Sequence, residues 1–334
     1  MVTFGIDLNM DLSHVNDIVQ QGLRVEKEGF DTIWFSDHFH PWLHEGAHEG
    51  FAWVAMAAVG QQTRRAELGT CVTAPILRYH PAIVAQAFAT MENMYPGRIV
   101  LGVGLGEAMN EVPLGFEWPE TEERVERFVE SIELIKLLWT KPFADYNGKY
   151  YRLRKANLYD KPARRVPIYI ASWGPVVTRL AGKYADGYIA GSFDTVTIRE
   201  KLFPALEKGA KKSGRDPRAI KKVVGIACSF DDNYDKAEAG AGRVAANLVP
   251  GMLDLNVYDP RKIEALGSLV DRGDYDKFFT ITTEPEPLIK KAEEYVRLGF
   301  DHIYYVNFGS DQMKFIEVCG KEVIPALRDR SRKD

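Results

Sequence analysis

Short apolar runs alternate with helix-length patterns from one end of this chain to the other, and that alternation leaves few folds open. The runs are 2–8, 31–36, 66–72, 98–103, 166–171, 186–190, 222–229 and 302–306. Several are rich in β-branched and aromatic residues and lack a two-residue alternation, which is how strands buried on both faces of a parallel sheet read. Helix-like stretches lie between them, among them Val15–Glu28, Pro81–Met94, Thr121–Leu138 and Pro285–Arg297. Within Glu122–Trp139, Val125, Phe128, Val129, Ile132, Ile135 and Leu138 recur at three- and four-residue intervals, one helical face. Eight strands with intervening helices predict an α/β fold closed as a (β/α)8 TIM barrel.

The 334 residues suit one barrel of roughly 250 residues with insertions. Three stretches exceed the minimal unit, near 104–121, 140–165 and 247–283, and are expected at the C-terminal rim, where they build a pocket mouth. Pro142, Asn147-Gly148, Tyr150-Tyr151 and Pro162 predict a small hairpin in the second; the third, entered through Pro250-Gly251-Met252, holds short helical pieces. No linker or low-complexity tract divides the chain, so residues 1–334 read as a single domain. An internal echo supports one repeated unit: Gly29-Phe30-Asp31-Thr32-Ile33-Trp34-Phe35 resembles Gly299-Phe300-Asp301-His302-Ile303-Tyr304-Tyr305, with a shorter version at Ala185-Asp186-Gly187-Tyr188-Ile189. Each puts an Asp before a strand, and Gly suits a left-handed helix C-cap.

Composition removes several classes. A net charge of −4 carries no electrostatic footprint for nucleic acid. No apolar run approaches the ~20 residues that span a bilayer, so no membrane partner is expected. The N-terminus enters a strand pattern directly, without a targeting signal. Cys71, Cys228 and Cys319 are odd in number and widely spaced, which fits a reducing, cytoplasmic setting better than disulfides or a zinc cluster.

The residues that could carry chemistry gather where barrel strands end. Ser36-Asp37-His38-Phe39-His40-Pro41-Trp42 follows the second strand, and four of the seven histidines lie between 38 and 48. Acid–base work by one His beside an aromatic wall is one use of such a segment. A metal site is another, but it needs ligands at other strand ends. Ala171-Ser172-Trp173 and Ala190-Gly191-Ser192 offer none, and His302 begins its strand at the opposite rim, so no metal is expected. His40, His44 and His48 read equally as a solvated loop. Leu101-Gly102-Val103-Gly104-Leu105-Gly106-Glu107-Ala108-Met109-Asn110-Glu111 follows the fourth strand, with glycines that let backbone approach a ligand; its spacing is not the dinucleotide fingerprint. Gly69–Pro75 at the third strand reads as structural in isolation. So does Ile170–Val177 at the fifth, although its Gly-Pro opens a helix that could seat an anion.

Together these segments resemble the coenzyme F420-dependent branch of the bacterial-luciferase-like superfamily. The likeness is greatest to the secondary-alcohol dehydrogenases, with the glucose-6-phosphate dehydrogenases next. It runs nearly the whole chain and rests on residues 36–42, on Arg78-Tyr79-His80-Pro81-Ala82-Ile83-Val84-Ala85-Gln86-Ala87-Phe88-Ala89-Thr90-Met91 and on Gly104–Glu111. The resemblance implies that His38 exchanges the substrate hydroxyl proton as a neutral imidazole, that Trp42 walls the pocket, and that Glu107 is a second acid–base group. It implies that Asp37 contacts the coenzyme, that Cys71–Val72 is a non-prolyl cis peptide behind the deazaflavin ring, and that Ala74, Leu105, Gly106 and Asn110 line that ring. Trp173, Gly174, Val176 and Val177 would hold the phosphate arm through backbone N–H groups. Asp11 stands where the family has a Glu, at the substrate side. The relatives are homodimers, which sets that expectation here.

The implied reaction is hydride transfer between a CH–OH donor and F420. Relatives acting on sugar phosphates seat the phosphate with Thr and Lys after the sixth strand and with Lys and Arg around the third insertion. Gly191 and Asp194 fall at the first pair, Asp254 and Phe278 near the second. A dianion beside Asp194 would be repelled and would lack charge-assisted bonds, with Lys277 as partial compensation. A small uncharged secondary alcohol, or its ketone, is therefore the expected substrate, and a sugar or sugar 6-phosphate the alternative. A flavin-dependent monooxygenase of the same superfamily and a non-catalytic F420-binding protein are further alternatives.

Overall fold

The computed structural model describes residues 2–191, 194–253 and 255–330. Its strands are β1 (Thr3–Leu8), β2 (Thr32–Phe35), β3 (Glu67–Thr70), β4 (Ile99–Val103), β5 (Ala144–Asn147), β6 (Arg152–Ala156), β7 (Ile168–Ser172), β8 (Gly187–Ala190), β9 (Lys221–Phe230), β10 (Thr280–Thr282) and β11 (His302–Asn307). Eight run parallel in the order β1-β2-β3-β4-β7-β8-β9-β11, and β11 returns to β1 in the register Thr3↔His302 to Asp7↔Val306, closing the ring. The expected (β/α)8 barrel is what forms. β5 and β6 make the expected antiparallel hairpin within the second insertion. β10, a strand the sequence pattern did not disclose, pairs with the far end of β9 at Thr280↔Cys228.

Two cores follow from the two faces of each strand. The large outer core packs helices on the barrel; helix Thr121–Thr140 contributes Phe128, Ile132, Ile135 and Leu138, the stripe read from its spacing. The interior core is aromatic: Trp34 of β2 meets Tyr169 of β7 at 6.1 Å and Tyr304 of β11 at 5.9 Å between ring centroids. Those strands are not neighbours, so the rings meet across the barrel. Glycines on the strands make the room: a Cβ at Gly69 would lie 2.5 Å from the Trp34 ring and one at Gly225 2.6 Å from that of Tyr304.

The repeated Gly…Asp unit has a physical purpose. Gly29 and Gly299 sit at φ +87° and +93°, and the following Phe30 and Phe300 N–H groups reach back to Val25 and Tyr295 carbonyls, closing each helix. Asp31, Asp186 and Asp301 then accept the backbone N–H of Phe4, Ile168 and Lys222 at 2.9, 3.0 and 2.8 Å. Each carboxylate thus clamps the start of its strand to the neighbouring one. His302 lies at this N-terminal rim, buried, bonded to Thr3, Thr32 and Trp34, with burial holding it well below its ordinary value. Chemistry is left to the opposite rim, where the loops after β1, β2, β3, β4, β7 and β8 converge. Among the described residues no helix is long and apolar enough to cross a membrane.

Candidate active site

His38 is the hub of the C-terminal rim. Its Nδ1 lies 3.4 Å from Asp11 Oδ1 and 3.9 Å from Glu49 Oε2; its Nε2 lies 3.6 Å from Glu107 Oε2. The local fold explains the convergence. The 3-10 turn Met10–Leu12 follows β1 directly, and the Met10 N–H donates to Ser36 Oγ at 3.2 Å, tying the first loop to the second. Asp11 also accepts the Trp42 backbone N–H at 3.0 Å, which folds the 38–42 segment back over the barrel mouth. Asn110 accepts the Phe39 N–H at 2.7 Å and donates to Glu107 at 3.3 Å, so the loop after β4 is locked to the loop after β2.

Three carboxyl groups about one imidazole dominate the electrostatics. Burial pulls the His38 pKa down, but the hydrogen bond to Asp11 and the charges of Glu107, Asp11 and Glu49 outweigh it and push the group up to about 10. These surroundings favour the protonated imidazole over the neutral form expected from sequence. Glu49 is pushed up to about 10 by burial and by the charge of Asp11. Burial also raises Glu107, partly offset by His38. Asp11 ends below the carboxylate range because its bonds and its attraction to His38 exceed its burial penalty. Asp7, buried on β1, is raised to about 7 by burial.

Asp11 lies deeper than its expected place at the substrate. It is buried behind His38 and under Trp42, and the shorter side chain still reaches both. Asp37 lies deep as well. Its side chain is wholly enclosed, accepting from Thr73 Oγ1 at 2.6 Å, Arg78 Nη2 at 3.0 Å and Tyr79 O–H at 3.0 Å, so it braces three loops instead of facing open space. Arg78 in turn donates its backbone N–H to Glu111 at 2.7 Å.

The other expected site residues follow β3, β4 and β7 at the same rim. Cys71–Val72 is cis, as expected. Val72 pushes toward β4, where a Cβ on Gly104 would come within 2.7 Å of it. Gly106 is left-handed at φ +78°, with Ala74 3.0 Å from where its Cβ would be, so backbone passes close on this side. Helix Pro175–Tyr184 begins at Gly174 with no side-chain cap, and nothing lies within 4 Å of where a Gly174 Cβ would stand. The N–H groups of Val176 and Val177 open its first turn. Trp173 and Val176 are about half exposed.

At the substrate side, the Trp173 ring covers Gly191, at 2.6 Å from a would-be Cβ, and stacks on Phe278 with centroids 6.4 Å apart and planes 17° from parallel. Phe278, Asp194 and Lys277 line one cleft of about 470 Å³. Asp194 caps its own helix by accepting the Thr197 N–H at 2.8 Å, and that bond holds its pKa low. Lys277 is paired with Asp274 at 2.6 Å. Asp254 lies outside the described residues. Trp42 packs on the third insertion with Met109, Ala246, Met252 and Ile263. His40 bonds the Tyr258 carbonyl at the surface, and His14 and His48 meet edge to face.

Sequence reasoning missed Glu49, Glu111 and Arg78 as members of this network. Arg78 stood inside a quoted motif but without a role. One imidazole nitrogen of His38 and one carboxyl oxygen each of Asp11 and Glu49 lie within 4.8 Å of one another, a cluster the sequence did not bring together.

A sequence profile of the family described as luciferase-like monooxygenase matches residues 3–302. The chain belongs to this luciferase-like family. An F420-dependent glucose-6-phosphate dehydrogenase of Microbacterium testaceum is 39% identical over 328 residues, covering 98% of both chains. A solved F420-dependent secondary alcohol dehydrogenase, in complex with an F420–acetone adduct, superposes with a TM-score of 0.94 at 38% identity over 98% of this chain and 99% of its own. The F420-dependent tetrahydromethanopterin reductase of Methanopyrus kandleri, at 24% identity and a TM-score of 0.80, shares the luciferase-like fold.

Proposed function

We propose that this luciferase-like protein is an F420-dependent dehydrogenase that moves a hydride between a small uncharged secondary alcohol, or its ketone, and the deazaflavin. The observation that carries the substrate reading is the wall at Gly191: the Trp173 ring fills the space a side chain there would take and lies nearly parallel to Phe278. That wall is aromatic, and of the lysines in the same cleft Lys277 is engaged by Asp274 and Lys291 by Glu294. A phosphate dianion would have to give up water against this aromatic wall and compete with Asp274 and Glu294 for two of the three lysines nearby.

The coenzyme reading is supported by the relatives' dependence on F420 and by the shape of the rim. On this reading Val72, Ala74, Leu105, Gly106 and Asn110 would line its planar ring. The uncapped N-terminus of helix Pro175–Tyr184 offers N–H groups to a phosphate. When bound, a deazaflavin accepts or returns a hydride at a ring carbon.

The chain's own residues then handle the proton. Asp11 fixes the imidazole through Nδ1, so Nε2 is the nitrogen that faces Glu107. Glu107 takes the Nε2 proton of the imidazolium, and the freed nitrogen accepts the hydroxyl proton of the alcohol. Trp42 and the insertion behind it exclude water.

A second reading is an F420-dependent sugar-phosphate dehydrogenase, favoured by the names of the 39% and 38% identical relatives and by Lys290 and Lys291 in the cleft with Lys277. Specificity constants decide between them. With purified protein and oxidised F420, kcat/KM for 2-propanol is expected to exceed that for glucose 6-phosphate by at least about 100-fold, the discrimination a pocket lacking the partners of a charged group imposes. The reverse order would overturn the alcohol reading.

A further inference from the structure

Glu49 sits where neither the sequence motifs nor the reaction scheme above requires an acid. Its side chain is 7% exposed, and neither carboxyl oxygen accepts a hydrogen bond from a donor group; the polar group within its reach is the Asp11 carboxylate, to which a protonated Glu49 donates. It lies beside Asp11 on the Nδ1 side of His38, away from Glu107 on the Nε2 side. Two carboxyl groups buried in one place cannot both ionise, and the one with fewer donors keeps its proton. Asp11 has the Trp42 N–H and the imidazole; Glu49 has no such donor. The other charged groups facing His38 are accounted for: Asp37 is paired with Arg78, and Asp7 is buried below with one oxygen unpartnered.

We propose that Glu49 is a positioning residue for proton transfer: near neutral pH it stays protonated as the neutral member of an Asp11–Glu49 pair, so that Asp11 and Glu107 are the carboxylates whose charge His38 feels until Glu49 itself ionises at higher pH. With Glu49 ionised, three negative charges would hold the His38 protons more tightly than Glu107 could remove them. With Glu49 absent, Asp11 would lose its carboxyl neighbour and drift from Nδ1, misaligning Nε2. The kinetic consequence rests on the proposed function; the position of the proton does not.

The test is an NMR titration of the His38 imidazole in the unmodified chain and in Glu49→Gln, without coenzyme. Glu49→Gln is expected to leave the midpoint within about half a unit, because a neutral group replaces a neutral group. A fall of about 1 unit or more would mean that an ionised carboxylate 3.9 Å away had been removed and would overturn the proposal. Glu49→Leu carries the same expectation and serves if Glu49→Gln does not fold. With F420 and 2-propanol, Glu49→Leu is expected to lose kcat about tenfold, the scale of a modest misplacement, and Glu49→Gln to recover most of it; equal kcat in Glu49→Leu and the unmodified chain would overturn the positioning role. Tight binding of Zn²⁺ by the unmodified chain that Glu49→Gln abolishes would also overturn it, in favour of a cation held by Asp11, His38 and Glu49. An unmoved midpoint with no turnover in any form, the unmodified chain included, would uphold the proton's position and sink the alcohol reading instead.

Discussion

At the scale of single residues, His38 is set apart by its neighbours. An imidazole between Asp11 and Glu107 is oriented at one nitrogen and offered an acceptor at the other. His38→Ala is expected to lower turnover by roughly 10²–10⁴-fold while F420 affinity stays nearly unchanged, measured by steady-state kinetics and coenzyme fluorescence. Lost affinity with normal turnover at saturation would remove His38 from proton transfer. The sequence disclosed His38, Trp42 and Glu107 because each follows a barrel strand, and strand ends share a rim. It did not disclose Glu49, because a Glu after a His-rich loop has the composition of a solvated turn, and its burial depends on Asp11, 38 residues away. The bracing role of Asp37 was hidden for a related reason: its carboxylate accepts from Thr73, Arg78 and Tyr79, and those partners lie on other loops.

At the scale of elements, two local devices carry most of the weight. The β3–β4 junction packs Val72 against glycine backbone, and a Cβ at Gly102 would fall 1.9 Å from the Thr70 carbonyl and 3.3 Å from Val72. Gly102→Ala is expected to destabilise the fold at the upper end of the about 1–3 kcal/mol typical of overpacking, read as a lower urea midpoint; an unchanged midpoint would mean that the two strands separate easily. The start of helix Pro175–Tyr184 is the other device. Val177→Pro removes one first-turn N–H, at the cost of some strain on the helical Val176 before it. Loss of a bond to a charged group, about 1.5–3 kcal/mol, predicts roughly 10–100-fold weaker F420 binding with kcat at saturation nearly kept. An unaltered dissociation constant would move the phosphate elsewhere. Element positions were legible because strands buried on both faces and helix stripes leave periodic signals. β10 was not, since three residues are too few for any period. Strand ends also shifted: 66–72 was expected, and β3 stops at Thr70, where the chain leaves the sheet for the cis Cys71–Val72 bond.

At the scale of the whole molecule, we propose that the chain is one domain, since the first and last barrel strands pair and helices enclose the ring. Its dependence on pH follows from the buried site. His38, raised to about 10 from an ordinary value near 6.5, contributes stability that is complete below about pH 6.5 and lost as pH rises toward 10. Glu49 at about 10, and Glu111 and Asp7 at about 7, act in the same direction. Each holds in the folded state a proton that the unfolded chain releases near pH 4. The urea midpoint is therefore expected to fall between about pH 5 and pH 10, and less steeply in His38→Gln; a flat or rising profile would contradict the protonation states assigned here.

The central claim is direct hydride transfer from an uncharged carbinol carbon to F420. It is tested most directly by mixing the purified protein with oxidised F420 and 2-propanol deuterated at that carbon, then following the coenzyme's visible absorbance and the fate of the label. Bleaching with the deuterium recovered in the reduced coenzyme is the predicted result. Bleaching by glucose 6-phosphate but not by 2-propanol, or deuterium appearing in the solvent, would contradict it.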